Sequence, residues 1–269
     1  MLPKSKLRLE QLEDRVTPSG IPWPNGLGLT LSFAPDGTSV SGTSSSLYQL
    51  LAPVTEASWK AEIVRAFQTW AVNANVNVGL VADSGLPLGA SGLPQGDLRF
   101  GDIRLAARPL ALSTDSNLAG GIGFDYSGST WNGDIILNSQ YNFGIGNTAG
   151  QYDLFSVLLH EAGHALGLDH NTSDPQSVMQ PSYAYRTTLA ASDVAALQAL
   201  YGARQPDAYE GNSGNNTLAS AFDMFKGQGV MSLTGDVTTA GEADYYKFTT
   251  PSAGTQGRLL FHTGQDDSP

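Results

Sequence analysis

His160-Glu161-Ala162-Gly163-His164-Ala165-Leu166-Gly167-Leu168-Asp169-His170 is the stretch on which the reading of this chain turns. His160 and His164 stand four apart, so on a helix their imidazoles project from one face, one turn apart. That is the spacing two ligands of one tetrahedral zinc require, each at ~2.0–2.1 Å. Glu161 borders the same face and reaches a water on the metal without being a ligand. Gly167, three residues after His164, takes a positive φ at no steric cost and turns the chain out of the helix. His170 then returns to complete a three-histidine site whose fourth position stays open, as catalytic zinc requires.

Chance is a poor account of this arrangement. Two histidines flanking a glutamate occur on ordinary surfaces, but here the glycine and third histidine are also in register, a coincidence of roughly one in 10⁵ at this chain's residue frequencies. The chain has four histidines in all, and three of them fall within this stretch. Zinc would lower the pKa of its water to ~7 and polarise a carbonyl. Glu161 would take the proton and deliver it to a leaving amine.

Outward from the motif, Asp153 is placed to cap a helix Leu154–Leu166, ended by Gly167. Trp59, Ile63, Phe67, Trp70, Ala71 and Ala74 lie on one face of a helical pattern between Thr55 and Ala74, a core-packing face with no chemistry. A last helix, Ala191–Tyr201, stops at Gly202 and holds Asp193 in its first turn, where the helix dipole favours an acid. Strands are predicted at Leu27–Phe33, Val76–Ala82, Leu98–Leu105, Leu118–Phe124 and Asp134–Asn138, with a Ser/Thr/Gly-rich loop over Thr38–Ser46. The glycines of Leu118–Phe124 suit an edge strand that another backbone can approach.

At 269 residues with a net charge of −11, the chain is long enough for a large domain plus a small one. A balance this acidic argues against nucleic acid as the main partner. The absence of cysteine excludes disulfides, a cysteine zinc site and a thiol that blocks the metal. No stretch approaches the ~20 apolar residues of a membrane span. Residues 1–22 read as a leader without the apolar region of a standard signal peptide. Composition shifts near Gln205, which divides a domain at 23–204 from a β-rich piece at 205–269, where short apolar stretches stand at Val230–Leu233, Tyr245–Phe248 and Arg258–His262.

With the motif in place, the chain resembles the metzincin zinc metallopeptidases, most closely the matrixin branch. Tyr152–His170 (YDLFSVLLHEAGHALGLDH) resembles that branch's active-site helix, and Ser177–Tyr183 (SVMQPSY) its methionine turn. The resemblance implies His160, His164 and His170 as ligands of one catalytic Zn²⁺, Glu161 as general base, and Met179 as an apolar floor beneath the metal. Pro181 and Tyr183 match the Pro-x-Tyr that walls the pocket for the residue after the scissile bond. Leu118 and Ala119 would bind substrate by β-addition, and Asp193 would support the methionine turn. Pro181 stands where the astacin and serralysin branches carry a tyrosine ligand, which favours matrixin. The implied fold is α/β (α+β), a twisted mixed sheet with two long helices and a C-terminal helix. No histidines remain in the domain for the structural zinc of animal matrixins. Asp/Gly loops such as Asp125–Asp134 offer oxygen ligands for Ca²⁺, although plain turns use the same residues.

Two further resemblances bear on location. Leu7–Ser19 (LRLEQLEDRVTPS) is similar to an N-terminal motif of extracytoplasmic proteins in planctomycete-like bacteria. Asp207–Phe222, Leu233–Val237 and Gly241–Gly254 resemble parts of the bacterial pre-peptidase C-terminal domain, a small β-sandwich, present here incompletely. Both imply a secreted or cell-surface bacterial location, for an enzyme whose partner is a protein or peptide substrate. The alternatives are a non-catalytic zinc-containing adhesion module and an enzyme that processes its own flanking segments.

Overall fold

The computed structural model describes residues 20–110, 117–206, 209, 214–225 and 243–248. These residues form two compact units that part between Ala203 and Arg204. The first unit opens with a short 3-10 turn and then β1 (Leu29–Phe33), β2 (Ser39–Val40), β3 (Thr43–Ser44), α1 (Leu47–Leu51), α2 (Glu56–Ala71), β4 (Val78–Leu80), β5 (Ile103–Arg108), β6 (Ala119–Gly121), β7 (Ile135–Asn138), β8 (Phe143–Gly144), β9 (Tyr152–Asp153), α3 (Leu154–Ala165) and α4 (Ala191–Tyr201).

The sheet is mixed, in the order β4-β1-β5-β7-β6. Every pairing in it is parallel except β6 with β7, which is antiparallel and leaves β6 on the edge. Every residue of α3 is buried. An all-round apolar helix needs cover on all sides, and α3 obtains it from α2, from β6 and β7, and from the chain that follows. Trp59, Ile63, Phe67 and Trp70 of α2 face this core, and the Trp70 indole donates to the Leu159 carbonyl at 2.9 Å. Polar caps set both helix starts. The Thr55 hydroxyl accepts from Ser58 N–H at 3.3 Å and the Asp153 carboxylate from Ser156 N–H at 2.9 Å.

The structure departs from the sequence-based expectations in three places. The strand expected at Leu98–Leu105 begins only at Ile103 and runs on to Arg108. Leu98 is fully exposed, because Asp97 and Arg99 close a local ion pair and Gly101 lies too near the β1 backbone for any side chain. The loop expected over Thr38–Ser46 contains the β2–β3 hairpin, turned by Ser41 and Gly42 with φ of 50° and 82°. The leader expected to end at residue 22 gives way earlier to folded chain: Gly20 N–H donates to the Gly167 carbonyl at 2.9 Å, and Ile21 packs on the core.

In the second unit, β10 (Phe222–Phe225) pairs in parallel with β11 (Tyr246–Phe248), and the Tyr209 ring lies against Phe222 and Tyr246. The strands expected at Val230–Leu233 and Arg258–His262, the leader motif Leu7–Ser19, and most of the β-sandwich expectation lie outside the described residues.

An ion pair unforeseen from the sequence braces the sheet. The Arg104 side chain on β5 is fully buried and paired with Asp83 at 2.7 Å, and it also donates to the Leu86 and Pro87 carbonyls. Beside it, buried Asp134 accepts from Arg104 N–H through Oδ1 at 3.1 Å, while no partner among the described residues meets Oδ2. Burial holds the Asp134 carboxyl well above its ordinary pKa of 3.8, against the opposing pull of Arg104. The folded state therefore resists an ionisation that the unfolded chain undergoes freely above 3.8. Stability on this account falls as pH rises from that value and levels off above the folded-state pKa. Asp134→Asn should raise the melting temperature at pH 8, with the gain shrinking toward pH 4. An equal gain at both pH values, or a loss at pH 8, would show that Asp134 is not held neutral.

Candidate metal centre

His160 and His164 lie on α3, and His170 lies beyond the turn that ends it. That turn is built by glycine. Gly167 has φ 99°, its N–H donates to the His164 carbonyl at 2.8 Å, and Leu168 N–H donates to the Gly163 carbonyl at 2.9 Å. This pair of bonds is the Schellman arrangement, which an L side chain at the turn residue would strain. Three neighbouring carbonyls find partners outside the helix. The Trp23 indole donates to Ala165 at 2.8 Å, the Tyr201 hydroxyl to Leu166 at 2.9 Å, and Gly20 N–H to Gly167 at 2.9 Å. The chain that carries His170 back to the helix is thus clamped by both ends of the domain.

The ligand atoms of His160, His164 and His170 lie within 4.8 Å of one another. His160 Nδ1 is 2.7 Å from the Val178 carbonyl, and His164 Nδ1 is 2.7 Å from the Leu168 carbonyl. A carbonyl only accepts, so each Nδ1 carries the proton and each Nε2 presents a lone pair. Those two Nε2 atoms face one another at 3.1 Å. Facing lone pairs on neutral rings repel, so this contact is not a hydrogen bond; a cation between them turns repulsion into coordination. Burial, and next the neighbouring His164 ring, hold His160 well below the ordinary histidine range, which keeps it in the neutral form a metal needs. The residues fit a zinc ion on donor type, tautomer and convergence.

Glu161 is fully buried and follows the first ligand. A Cβ built on Gly121 would stand 3.1 Å from Glu161 Oε2 and 2.9 Å from its carbonyl, which places the carboxylate directly against the edge strand β6. Along β6, the Leu118 carbonyl accepts from Asn138 N–H at 2.8 Å and Ile122 N–H donates to Asp134 at 2.9 Å. With Ala119 opposite Leu137, the N–H and C=O groups of Ala119 face away from β7, toward the outer edge of the sheet. The Leu118 side chain is fully buried and its carbonyl is used within the sheet, so of the pair Leu118 and Ala119 only Ala119 turns both backbone groups to that edge.

Met179 is buried beneath the helix, where a Cβ on Gly163 would stand 2.3 Å from its sulfur. Gly163 was not singled out from the sequence, although a glycine inside a helix signals a close approach. Asp193 ties the methionine turn to α4. Its carboxylate accepts from the Ser177 hydroxyl, from Val178 N–H at 2.9 Å and from Ala190 N–H at 2.8 Å. Val178 in turn supplies the carbonyl that orients His160, so Asp193 reaches that imidazole through a single residue. The orienting carbonyls of Val178 and Leu168 leave no signal in a sequence, since every residue has one.

Tyr183 accepts from Asp153 N–H at 3.0 Å and sets its ring edge-on to Tyr152, while Pro181 is half-buried on the same segment. The loop Asp125–Asp134 does not gather a carboxylate cluster for calcium: Asp125 is bonded to the Ser127 N–H and hydroxyl, and Asp134 is bonded to Arg104 N–H.

Asp193→Ala removes three hydrogen bonds to a buried carboxylate. It should lower stability by roughly 3 kcal/mol and zinc affinity by ~10–100-fold. Chelator-competition titration and thermal melts measure both; unchanged zinc affinity would break the proposed link to His160.

Comparison with known proteins agrees with this geometry. Residues 114–202 match the family model of the matrixin peptidases. Over 60 residues the chain is 48% identical to neutrophil collagenase of Homo sapiens, covering 21% of this chain and 13% of that protein. It is 40% identical over 77 residues to matrix metalloproteinase-20 of Homo sapiens, covering 27% and 15%. It is 48% identical over 54 residues to macrophage metalloelastase of Oryctolagus cuniculus, covering 19% and 11%. The chain spans less than a sixth of the length of these curated relatives. Together with the three converging imidazoles and the methionine turn beneath them, the match identifies residues 114–202 as a matrixin-like segment.

Proposed function

We propose that this chain is a zinc-dependent endopeptidase that hydrolyses peptide bonds in proteins. One observation carries the reading: two neutral imidazoles with their Nε2 lone pairs face to face, a third beside them, and a buried carboxylate next in sequence against an open strand edge. A zinc ion held by His160, His164 and His170 would supply a water acidified to pKa ~7 and a Lewis acid for the scissile carbonyl. Glu161 accepts the proton from the attacking water and passes it to the leaving amine.

The substrate lies as an added strand along β6, hydrogen-bonded to the outward groups of Ala119. Pro181 and Tyr183 form the facing wall. The names of the relatives, a collagenase and a metalloelastase among them, support a protein substrate. Among the described residues no helix is long and apolar enough to cross a membrane. Export is supported by the resemblance of Leu7–Ser19 to an extracytoplasmic motif and by that of the C-terminal piece to a domain of secreted peptidases.

Glu161→Ala should retain one zinc per chain and lose ~10²–10⁴-fold in cleavage of an unfolded protein such as casein. Chelation should abolish wild-type cleavage and added zinc restore it. Equimolar zinc with no cleavage by the wild type would favour the non-catalytic adhesion module instead.

A further inference from the structure

Resting on the peptidase reading above, we infer that Asp125 and Tyr126, beyond the end of β6, form a subsite that selects a lysine or arginine about four residues before the scissile bond. The course of the chain after β6 leads to it. A Cβ on Gly121 would meet Glu161 Oε2 at 3.1 Å and His164 Cβ at 3.2 Å, and one on Gly123 would meet the His164 carbonyl at 3.4 Å. Phe124 then packs on Trp23 with ring centroids 4.7 Å apart, and the Trp23 indole donates to the carbonyl of Ala165, the last residue of α3. From Gly121 to Phe124 the chain therefore runs beside α3 toward its C-terminus.

The wall for the residue after the scissile bond lies the other way, because the Tyr183 hydroxyl accepts from the N–H of Asp153, the N-cap of α3. Substrate residues before the scissile bond are thus carried toward Phe124 and the turn that follows it. At ~3.3 Å per residue, the steps from Gly121 to Asp125 span ~13 Å, the reach of about four extended substrate residues.

The turn is held firmly, and its two exposed side chains suit one kind of ligand. The Asp125 carbonyl accepts from Gly128 N–H at 2.9 Å and from the buried Asn132 amide at 2.9 Å. Asp125 Oδ1 accepts from the Ser127 N–H at 2.7 Å and hydroxyl at 2.8 Å. No donor among the described residues meets Oδ2. The bonds from Ser127 hold this exposed carboxyl below its ordinary pKa of 3.8, so it stays charged. Glu56, Glu62, Asp83 and Asp97 each have a cation from their own fold, but none among the described residues pairs with Asp125. Beside it, Tyr126 is 72% exposed, its ring propped edge-on against Phe124 at 5.1 Å. A bare aromatic ring next to an unpaired carboxylate offers a cation both a π face and a counter-charge. An acidic side chain is repelled there, and a neutral one gains no counter-charge. The net charge of −11 favours the same sign of ligand at long range.

The test uses the zinc-loaded full chain and a casein-derived peptide that the wild type cuts, remade with Arg, Gln or Glu at the third, fourth or fifth position before the scissile bond. Competing peptides are read by mass spectrometry as ratios of kcat/KM. At one or more of these positions wild type should favour Arg over Gln by about fivefold, with Glu slowest. Asp125→Asn keeps an acceptor for Ser127 but removes the charge, and should bring the ratio below about twofold. Tyr126→Ala should lower it as well. Asp125→Lys should reverse the order and favour Glu, a change of sign that loss of structure does not produce. Each ratio is taken within one preparation and is independent of the fraction folded. Equal cleavage of Arg and Gln peptides by the wild type at all three positions, or an Arg preference that Asp125→Asn and Asp125→Lys leave unchanged, overturns this inference and leaves the peptidase standing. A wild type that binds zinc and cuts nothing overturns the peptidase reading and this inference with it.

Discussion

Two hydrogen bonds from imidazole Nδ1 to backbone carbonyls govern the centre of this protein. They decide the tautomer of His160 and His164, and with it the direction of the lone pairs. Each carbonyl belongs to a segment that must itself be held. Leu168 follows the glycine turn that ends α3, and Val178 opens the methionine turn. The demand for fixed ligands thus spreads outward into a demand for fixed loops, which α4 meets through Asp193 and the sheet side meets through Trp23 and Gly20.

The end of α3 shows how completely that demand is met. A helix C-terminus leaves its last carbonyls without intrahelical donors. Here the Schellman bonds take two, and an indole, a phenol and a backbone amide from distant parts of the chain take the next three. The phenol shows the cost of its position, since burial pushes Tyr201 up to about 12 and keeps it a donor throughout the working range. The same residues that satisfy the helix end also fix the path to His170, so stability of the fold and geometry of the metal centre rest on shared bonds.

Close backbone approach is the second theme. Gly163 admits the Met179 sulfur and the edge of Trp70, and Gly121 brings the edge strand against Glu161. Neither glycine has a positive φ; each is required by the space its missing side chain leaves. On the far side of the sheet the Arg104–Asp83 pair and Asp134 are buried polar groups of the kind that favour one strand register over others, since a slip would leave charge unsatisfied.

The sequence by itself determined the three histidines that converge, the glutamate beside the first, the helix that carries them and the glycine that ends it. These are local: a spacing of four, a cap at Asp153 and a turn at Gly167 are written in adjacent residues and obey helix geometry alone. It also foretold the edge character of the glycine-rich strand. What only the tertiary structure decided is which carbonyls orient the histidines, which backbone groups of β6 face outward, and where β5 begins. Those depend on segments far apart in the chain meeting at hydrogen-bond distance. A backbone carbonyl carries no residue identity, so no pattern of letters records which donor it will meet.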